Sequence, residues 1–194
     1  MTEDNNTTKW LRYLLYVGIA ALVNSLLGVM GLGGLSRWLG YAVSAAALYL
    51  MFRLAGSNGR YLRAVLFAGA ALILNILGIQ QLALATSICG IVGQYQEYLA
   101  HSELIAGRDS KLAAKWSSLF WLQFAVELIT VLLLGLAVGI LVAAANMEVA
   151  VVTSLITMII AVITLILKVL YLSYLKRTIA LLENETVVES RRML

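Results

Sequence analysis

The chain contains no proline and a single cysteine, Cys89, among its 194 residues, and charged residues make up only 12% of it. Without proline, the helices are not expected to contain the kinks and breaks that many transporter binding sites use. One cysteine cannot form a disulfide framework or a thiolate metal site within the chain. So few charges also leave little polar surface with which to cover a water-soluble fold.

Apolar residues take the place of the missing charge. Hydrophobic residues make up 62% of the chain, and the mean hydropathy is +0.92. Apolar runs of about 20 residues recur, which is typical of a polytopic helical membrane protein. We therefore predict an all-α integral membrane protein in contact with a lipid bilayer. The net charge of +4 is interpreted as a topology signal, not as a surface for nucleic acid.

Six apolar segments alternate with short polar turns. They run approximately from Leu11 to Gly31, Trp38 to Leu54, Leu62 to Ile79, Leu82 to Ala100, Trp116 to Ala145 and Val149 to Leu175. The polar pair Gln80-Gln81 is taken as a turn, because one helix from Leu62 to Ala100 would be too long for a hydrocarbon core of about 30 Å. The sequence thus predicts six transmembrane helices.

Lysine and arginine indicate the orientation of these spans, because they accumulate in cytoplasmic loops. With the N-terminus inside, all of the 14 basic residues except Arg37 lie on or toward the cytoplasmic side. Both termini are therefore expected in the cytoplasm, and the membrane is expected to be the bacterial cytoplasmic membrane. Residues 1–8 are predicted as a disordered tail, 9–175 as the transmembrane domain, and 176–194 as a cytoplasmic tail, either helical or disordered.

A repeat divides the transmembrane domain into hairpins. Lys9 to Asn24 reads KWLRYLLYVGIAALVN, and Arg60 to Asn75 reads RYLRAVLFAGAALILN. Lys115-Trp116 opens the fifth span with a similar basic-aromatic pair. We predict three parallel helical hairpins over residues 9–58, 59–107 and 111–175, although aromatic anchors at the membrane interface would mimic part of this pattern.

Polar side chains at membrane depth are the main candidates for function, because placing them in lipid is costly. Asn24 and Asn75 hold equivalent positions in the repeat, where they either line a shared interior or link helices by hydrogen bonds. Glu127 lies near the bilayer centre, and Lys168 lies almost opposite it in the third hairpin. We predict a buried Glu127–Lys168 ion pair, because either charge alone would cost more to bury.

Helical spacing places other polar residues on the same faces as these. The residues predicted to line a polar interior or solute pathway are Asn24, Asn75, Gln94, Gln123, Glu127, Thr164 and Lys168. Glu97 and His101 are predicted at the cytoplasmic edge of this pathway. In the simpler interpretation, serine and threonine bond to their own backbone, and Glu127 and Lys168 form only a structural clasp.

Small residues suggest how helices approach each other. Gly135 and Gly139 form a small-xxx-small pattern, which permits close helix packing within the chain, with a second copy of it, or with a partner membrane subunit. The pattern is common in membrane helices and does not by itself establish dimerisation.

Catalytic motifs are missing from the sequence. There is one histidine and no HExxH or GxSxG motif, so we predict no enzyme, metal site or cofactor. The first functional hypothesis is a channel or transporter, or a subunit of one, that carries an ion or small polar solute through the polar interior. The second is a non-transporting accessory, regulatory or immunity-type protein that acts by helix packing with partners.

Overall fold

The chain folds into helices joined by short turns. The computed structural model describes the backbone of residues 2–144 and 147–192, and the side chains of residues 6–79, 81–133, 151 and 154–184. Six α-helices occupy these ranges: α1 Thr2–Val29, α2 Gly33–Leu54, α3 Gly59–Leu77, α4 Ala83–Ile105, α5 Ser110–Ala144 and α6 Met147–Arg192. A 3-10 turn at Gln80–Leu82 precedes α4. The predictions of an all-helical chain and of six helices are confirmed.

Local sequence explains where several helices end. Gly78 terminates α3 with a φ of 65°, a left-handed conformation that favours glycine, and its N–H bonds to Leu74 and Asn75. The Asn58 side chain caps α3 by accepting from the Arg60 N–H at 2.8 Å, and Asp109 accepts from the Leu112 N–H at 2.9 Å near the start of α5. The predicted turn at Gln80-Gln81 therefore exists, and a glycine cap two residues earlier begins it.

The six helices form a closed ring. Each helix packs against its neighbours along the chain, and α6 returns to pack against α1. α4 also touches α6 across the ring. The pairs α1–α2, α3–α4 and α5–α6 are the three predicted hairpins, set side by side.

Four of the helices are long and apolar enough to cross a membrane. The qualifying segments are Asn6–Val29, Gly59–Leu77, Ser110–Leu133 and Ser154–Asn184. The chain is thus a multi-pass membrane protein, with lipid contact along these helices. α2 and α4, with 22 and 23 residues, are long enough to cross but are not among these apolar segments.

The two ends of the ring differ in packing. We call the end with the turns 55–58 and 106–109 the basic end, and the end with the turns 30–32 and 78–82 the opposite end. The largest fully buried side chains, Leu11, Leu54, Tyr61, His101, Ile105, Trp116, Leu175 and Thr178, all lie toward the basic end. Toward the opposite end, Leu84 and Val131 are 73% and 68% exposed. Among the described residues, the bundle is therefore tightly packed at the basic end and less so toward the other.

The segment predicted as a disordered N-terminal tail is helical. α1 begins at Thr2, and Thr7 and Thr8 are buried. The reason lies in α6, whose 46 residues extend about 69 Å at about 1.5 Å per residue, far beyond a bilayer. Arg12 pairs with Glu183 at 2.7 Å, so the start of α1 lies beside this extension. The predicted C-terminal tail is correspondingly helical as far as Arg192.

Candidate functional site

A cavity of about 480 Å³ lies between α2, α3 and α4. α2 and α4 flank α3 in the ring, and Gln94 of the lining also reaches α5, so the cavity lies on the inner side. Small residues such as Ala47, Ala71 and Gly90 leave the space open. The polar side chains around it are Tyr41, Ser44, Asn75, Thr86, Ser87 and Gln94. No charged side chain is among the lining residues within the described part of the chain.

Two glycines on α4, one turn apart, set the limit of this cavity. At Gly93 an added Cβ would lie only 2.8 Å from the backbone nitrogen of Ala68, so α3 and α4 touch there. At Gly90, by contrast, nothing lies within 4 Å of an added Cβ. The two helices are therefore in backbone contact at Gly93 and leave space one turn closer to the opposite end.

The two asparagines of the repeat have different surroundings. Asn75 lines the cavity and accepts a hydrogen bond from Tyr41 Oη at 3.3 Å, which links α3 to α2. Asn24 packs between α1 and α2, with its Nδ2 3.2 Å from where a Cβ on Gly40 would stand. Its buried Oδ1 accepts no hydrogen bond from any described residue. Asn75 therefore lines this cavity and Asn24 is not among its lining residues.

Gln123 on α5 links the cavity residue Gln94 to Glu127. Its Nε2 donates to Gln94 Oε1 at 3.3 Å and to Glu127 Oε1 at 3.1 Å, and its Oε1 accepts from Tyr98 Oη at 2.6 Å. Gln94, Gln123 and Glu127, which the sequence assigned to one polar interior, are brought together here. Tyr98 is an addition that the sequence analysis did not include.

The predicted Glu127–Lys168 ion pair is not formed. Lys168 donates instead to the hydroxyl of Ser25 on α1, and within the described residues no ion pair joins it to Glu127. Glu127 bonds instead to Gln123, whose other partner Gln94 lies on α4, whereas Lys168 reaches α1. Thr164 bonds to its own backbone at Ile160 O, at 2.9 Å, as in the simpler interpretation.

A buried aromatic cluster lies between the cavity and the basic end. It consists of Tyr61, Tyr98, His101, Trp116 and Tyr171, which come from α3, α4, α5 and α6. His101 and Trp116 have no exposed surface, and their rings stack with centroids 4.5 Å apart. Tyr98 and Tyr171 contact Trp116 edge-on at 5.6 and 5.4 Å. These contacts fill the centre of the ring of helices at that level.

Hydrogen bonds tie the aromatic cluster together around His101. Tyr61 Oη lies 2.8 Å from Nδ1 of His101, and Tyr171 Oη lies 3.5 Å from Nε2. Tyr171 also donates to Glu97 Oε1 at 2.6 Å, and that oxygen lies 3.7 Å from His101 Nε2. Glu97 and His101, predicted at the edge of the pathway, are thus enclosed by three other helices.

The aromatic cluster was the part that sequence reasoning missed. Tyr61 and Trp116 follow a basic residue at the start of α3 and near the start of α5, where aromatic residues commonly anchor helices at the membrane interface. A hydrogen bond to another helix distinguishes Trp116 from such an anchor. Its Nε1 donates to the buried Thr178 Oγ1 on α6 at 3.2 Å. A buried threonine just beyond the last apolar run indicates that α6 continues as a packed helix.

The exposed rim of the basic end contains an ion pair that fixes the α2–α3 turn to α4. Arg60 Nε donates to Glu103 Oε1 at 2.5 Å, and Asn58 Nδ2 donates to the other carboxylate oxygen at 3.1 Å. Burial alone would raise the pKa of Glu103. Hydrogen bonds from Asn58 and Arg60, with the charges of Arg60 and Arg63, outweigh burial and hold the pKa below its usual value.

Other predicted features lie outside the cavity and the aromatic cluster. The side chains around Gly135 and Gly139 lie outside the described residues. Among the described residues, no group of three His, Cys, Asp or Glu side chains is close enough to hold a metal ion. Comparison with protein-family models, with curated proteins and with solved structures found no match to this chain.

Proposed function

We propose that the chain is a six-span membrane transporter, or the membrane subunit of one, that receives a small polar solute in the cavity between α2, α3 and α4. The observation that carries this proposal is the cavity itself, in which six polar side chains lie among apolar ones inside a bundle with an apolar exterior. Hydroxyl and amide groups replace the hydration of a neutral solute well. Because no described lining residue is charged, the proposal favours a neutral hydrogen-bonding molecule over an ion.

The way the helices are joined supports six spans. α1 and α3 both qualify as spans, and α2 is joined to each of them by a short turn. The chain must therefore return through α2, whose 22 residues extend about 33 Å at about 1.5 Å per residue. The same reasoning applies to α4 between α3 and α5. The basic end is then cytoplasmic, since basic residues accumulate on that side.

In this orientation the cavity opens toward the outside, and the aromatic cluster closes the cytoplasmic end. Transport then requires the helices to separate at the aromatic cluster while they close at the opposite end, as in alternating access. The alternative is an accessory protein that packs with partner subunits. Such a protein would not need water or solute in the cavity, and this difference makes the two functions separable.

Cysteine labelling tests whether water reaches the cavity. With Cys89→Ala as background, Ser87→Cys places a thiol on the cavity wall, and Ile88→Cys places one on the adjacent exposed apolar surface. A charged, membrane-impermeant thiol reagent added at the opposite end should modify Ser87→Cys and spare Ile88→Cys, because lipid excludes the reagent. Equal reaction of both, or of neither, would contradict the proposal.

Solute passage is tested in proteoliposomes by osmotic swelling in neutral polyols and amides. Ala71→Trp fills the cavity, whereas Ala70→Trp alters a neighbour outside its lining and is the matched control. The proposal predicts swelling that Ala71→Trp abolishes and Ala70→Trp preserves. Absence of swelling for every solute, with a partner protein that co-purifies stoichiometrically, would favour the accessory function instead.

A further inference from the structure

The protons of the aromatic cluster can be assigned from its hydrogen bonds. Tyr171 donates its hydroxyl proton to Glu97, so its oxygen can only accept from His101. His101 therefore carries its proton on Nε2 when the ring is neutral. Nδ1 is then free to accept, and Tyr61 Oη donates to it at 2.8 Å.

The groups that face His101 come from every helix packed against α4. Tyr61 on α3 and Tyr171 on α6 are titratable, and Trp116 on α5 carries no charge. On α4 itself Glu97 is the nearest ionisable group, one turn before His101. Within the described residues no lysine or arginine lies within ion-pair distance of Glu97. An ionised Glu97 beside a neutral His101 is thus a negative charge whose only charge partner would be a protonated histidine.

We propose that Glu97 and His101 together form a proton-binding site, and that binding of the proton opens the aromatic cluster. The inference rests on the proposed function, in which the aromatic cluster closes the pathway below the cavity. One proton enters from water and binds to Nδ1, and no other bond forms or breaks covalently. The site then changes from one negative charge to none, because the imidazolium pairs with the Glu97 carboxylate.

Hydrogen-bond chemistry gives the direction of the change. A protonated imidazole has two N–H donors and no acceptor. Tyr61 can then only accept from Nδ1, and its own hydroxyl proton loses the acceptor that it has in the present structure. At the same time Nε2 is drawn toward Glu97 on its own helix. Protonation therefore leaves the buried hydroxyl proton of Tyr61 on α3 without that acceptor, which disfavours the closed packing, and it strengthens contacts within α4.

A path of contacts connects this site to the cavity. Gln94 lines the cavity and lies one helical turn before Glu97 and Tyr98 on α4. Tyr98 donates to Gln123, the partner of Gln94, and its ring packs 5.7 Å from that of Tyr171. A solute that displaces Gln94 thus changes the packing around the proton site, which is the arrangement that proton-coupled uptake of a neutral solute requires.

The single histidine makes proton binding directly measurable. The full chain, labelled with ring-¹⁵N histidine in nanodiscs, gives one pair of imidazole signals. We expect the Nε2–H tautomer at high pH and conversion to imidazolium as the pH falls. Glu97→Gln should move the conversion to lower pH, because it removes the negative partner. Tyr61→Phe should move it to higher pH, because it removes the bond that favours neutral Nδ1.

The two substitutions should move the pH of conversion in opposite directions. A purely structural role predicts neither direction, so these shifts distinguish proton binding from it. Glu103→Gln at the exposed rim is the control and should leave the conversion unchanged. A histidine that stays neutral at every pH tested, or whose pH of conversion is unchanged in Glu97→Gln, would overturn the proton site. Replacement of sodium by choline at constant pH should change nothing, and a change would assign the site to a metal cation instead.

Opening is measured separately with Ala64→Cys in the Cys89→Ala background, since Ala64 is fully buried one turn after Tyr61. Its rate of thiol modification is divided by that of Lys111→Cys on the exposed rim, which corrects for reagent chemistry. This ratio should rise severalfold as His101 is protonated. A constant ratio would overturn the opening step. Because neither measurement needs a solute, failure here is distinct from failure of the cavity labelling at Ser87→Cys.

Discussion

The basic end and the opposite end of the bundle are built from the same six helices, yet only one of them is closed. At the basic end, Trp116 and His101 have no exposed surface, and four helices meet around them. At the opposite end, α2, α3 and α4 surround a cavity of about 480 Å³. The change occurs within one turn of α4, between Gly93, where the helices touch, and Gly90, where they do not.

This difference indicates a division of roles within one bundle, between an end that stabilises the fold and an end that encloses the cavity. Helix association in lipid depends on close packing and on hydrogen bonds between helices, because lipid is as apolar as the side chains. Among the described residues, the fully buried rings lie at the basic end, and we expect that end to supply most of the stability. The opposite end encloses a partly polar space. The substitutions below test this division, in order of decreasing expected effect.

Removal of a large ring from the closed end should be the most damaging change. Trp116→Ala deletes a fully buried ring together with its bond to Thr178, and we expect a loss of about 3–5 kcal/mol. Trp121→Ala is the matched control on the same helix, because Trp121 is 60% exposed. It should cost less than about 1 kcal/mol. Unfolding in mild detergent measures both, and equal losses would contradict the division.

The boundary between the two ends should be sensitive to one methyl group. Gly93→Ala forces a Cβ against the Ala68 backbone, and we expect a loss of about 1–3 kcal/mol as α3 and α4 separate. Gly90→Ala meets nothing and replaces glycine within a helix, so it should be neutral or stabilising by up to about 1 kcal/mol. Thermal unfolding of the two variants side by side is the measurement. A Gly93→Ala variant as stable as Gly90→Ala would place the boundary elsewhere.

The exposed rim of the closed end should contribute least, and in a pH-dependent way. The pKa of Glu103 is lower in the folded chain than in the unfolded chain, so the Arg60–Glu103 pair stabilises the fold above the unfolded pKa of about 4.3. That contribution is lost as the pH falls through the folded pKa. Because both side chains are partly exposed, Glu103→Gln should cost less than about 1 kcal/mol at neutral pH. Denaturation of both proteins at pH 7 and pH 3 tests this, and a difference that persists in acid would contradict it.

The sequence was sufficient for features that depend on spacing along one helix. Apolar runs and polar turns placed all six helices, and the spacing of Gln123 and Glu127 put them on one face, as their hydrogen bond shows. A pairing between helices depends on how each one is rotated about its axis, which no local pattern contains. Lys168 was therefore assigned to Glu127, although its partner is Ser25.

Two other features could not be predicted because their partners are far away in the sequence. The first turns of α1 are polar and look like a tail until the extension of α6, reached by Glu183, is placed beside them. Tyr61 and Trp116 look like ordinary interface anchors until His101 is placed between them. Packing between helices, not composition, decides both cases.

The central claim is that water reaches the cavity from the opposite end and stops at the aromatic cluster. A cysteine scan along one face of α4, with Ser87→Cys, Gln94→Cys, Glu97→Cys and His101→Cys each in the Cys89→Ala background, measures this directly. Impermeant reagent added at the opposite end should modify the first two positions and spare the last two at neutral pH. Modification as far as His101→Cys would indicate an open pore, and protection of Ser87→Cys would indicate a dry bundle; either result would contradict the claim.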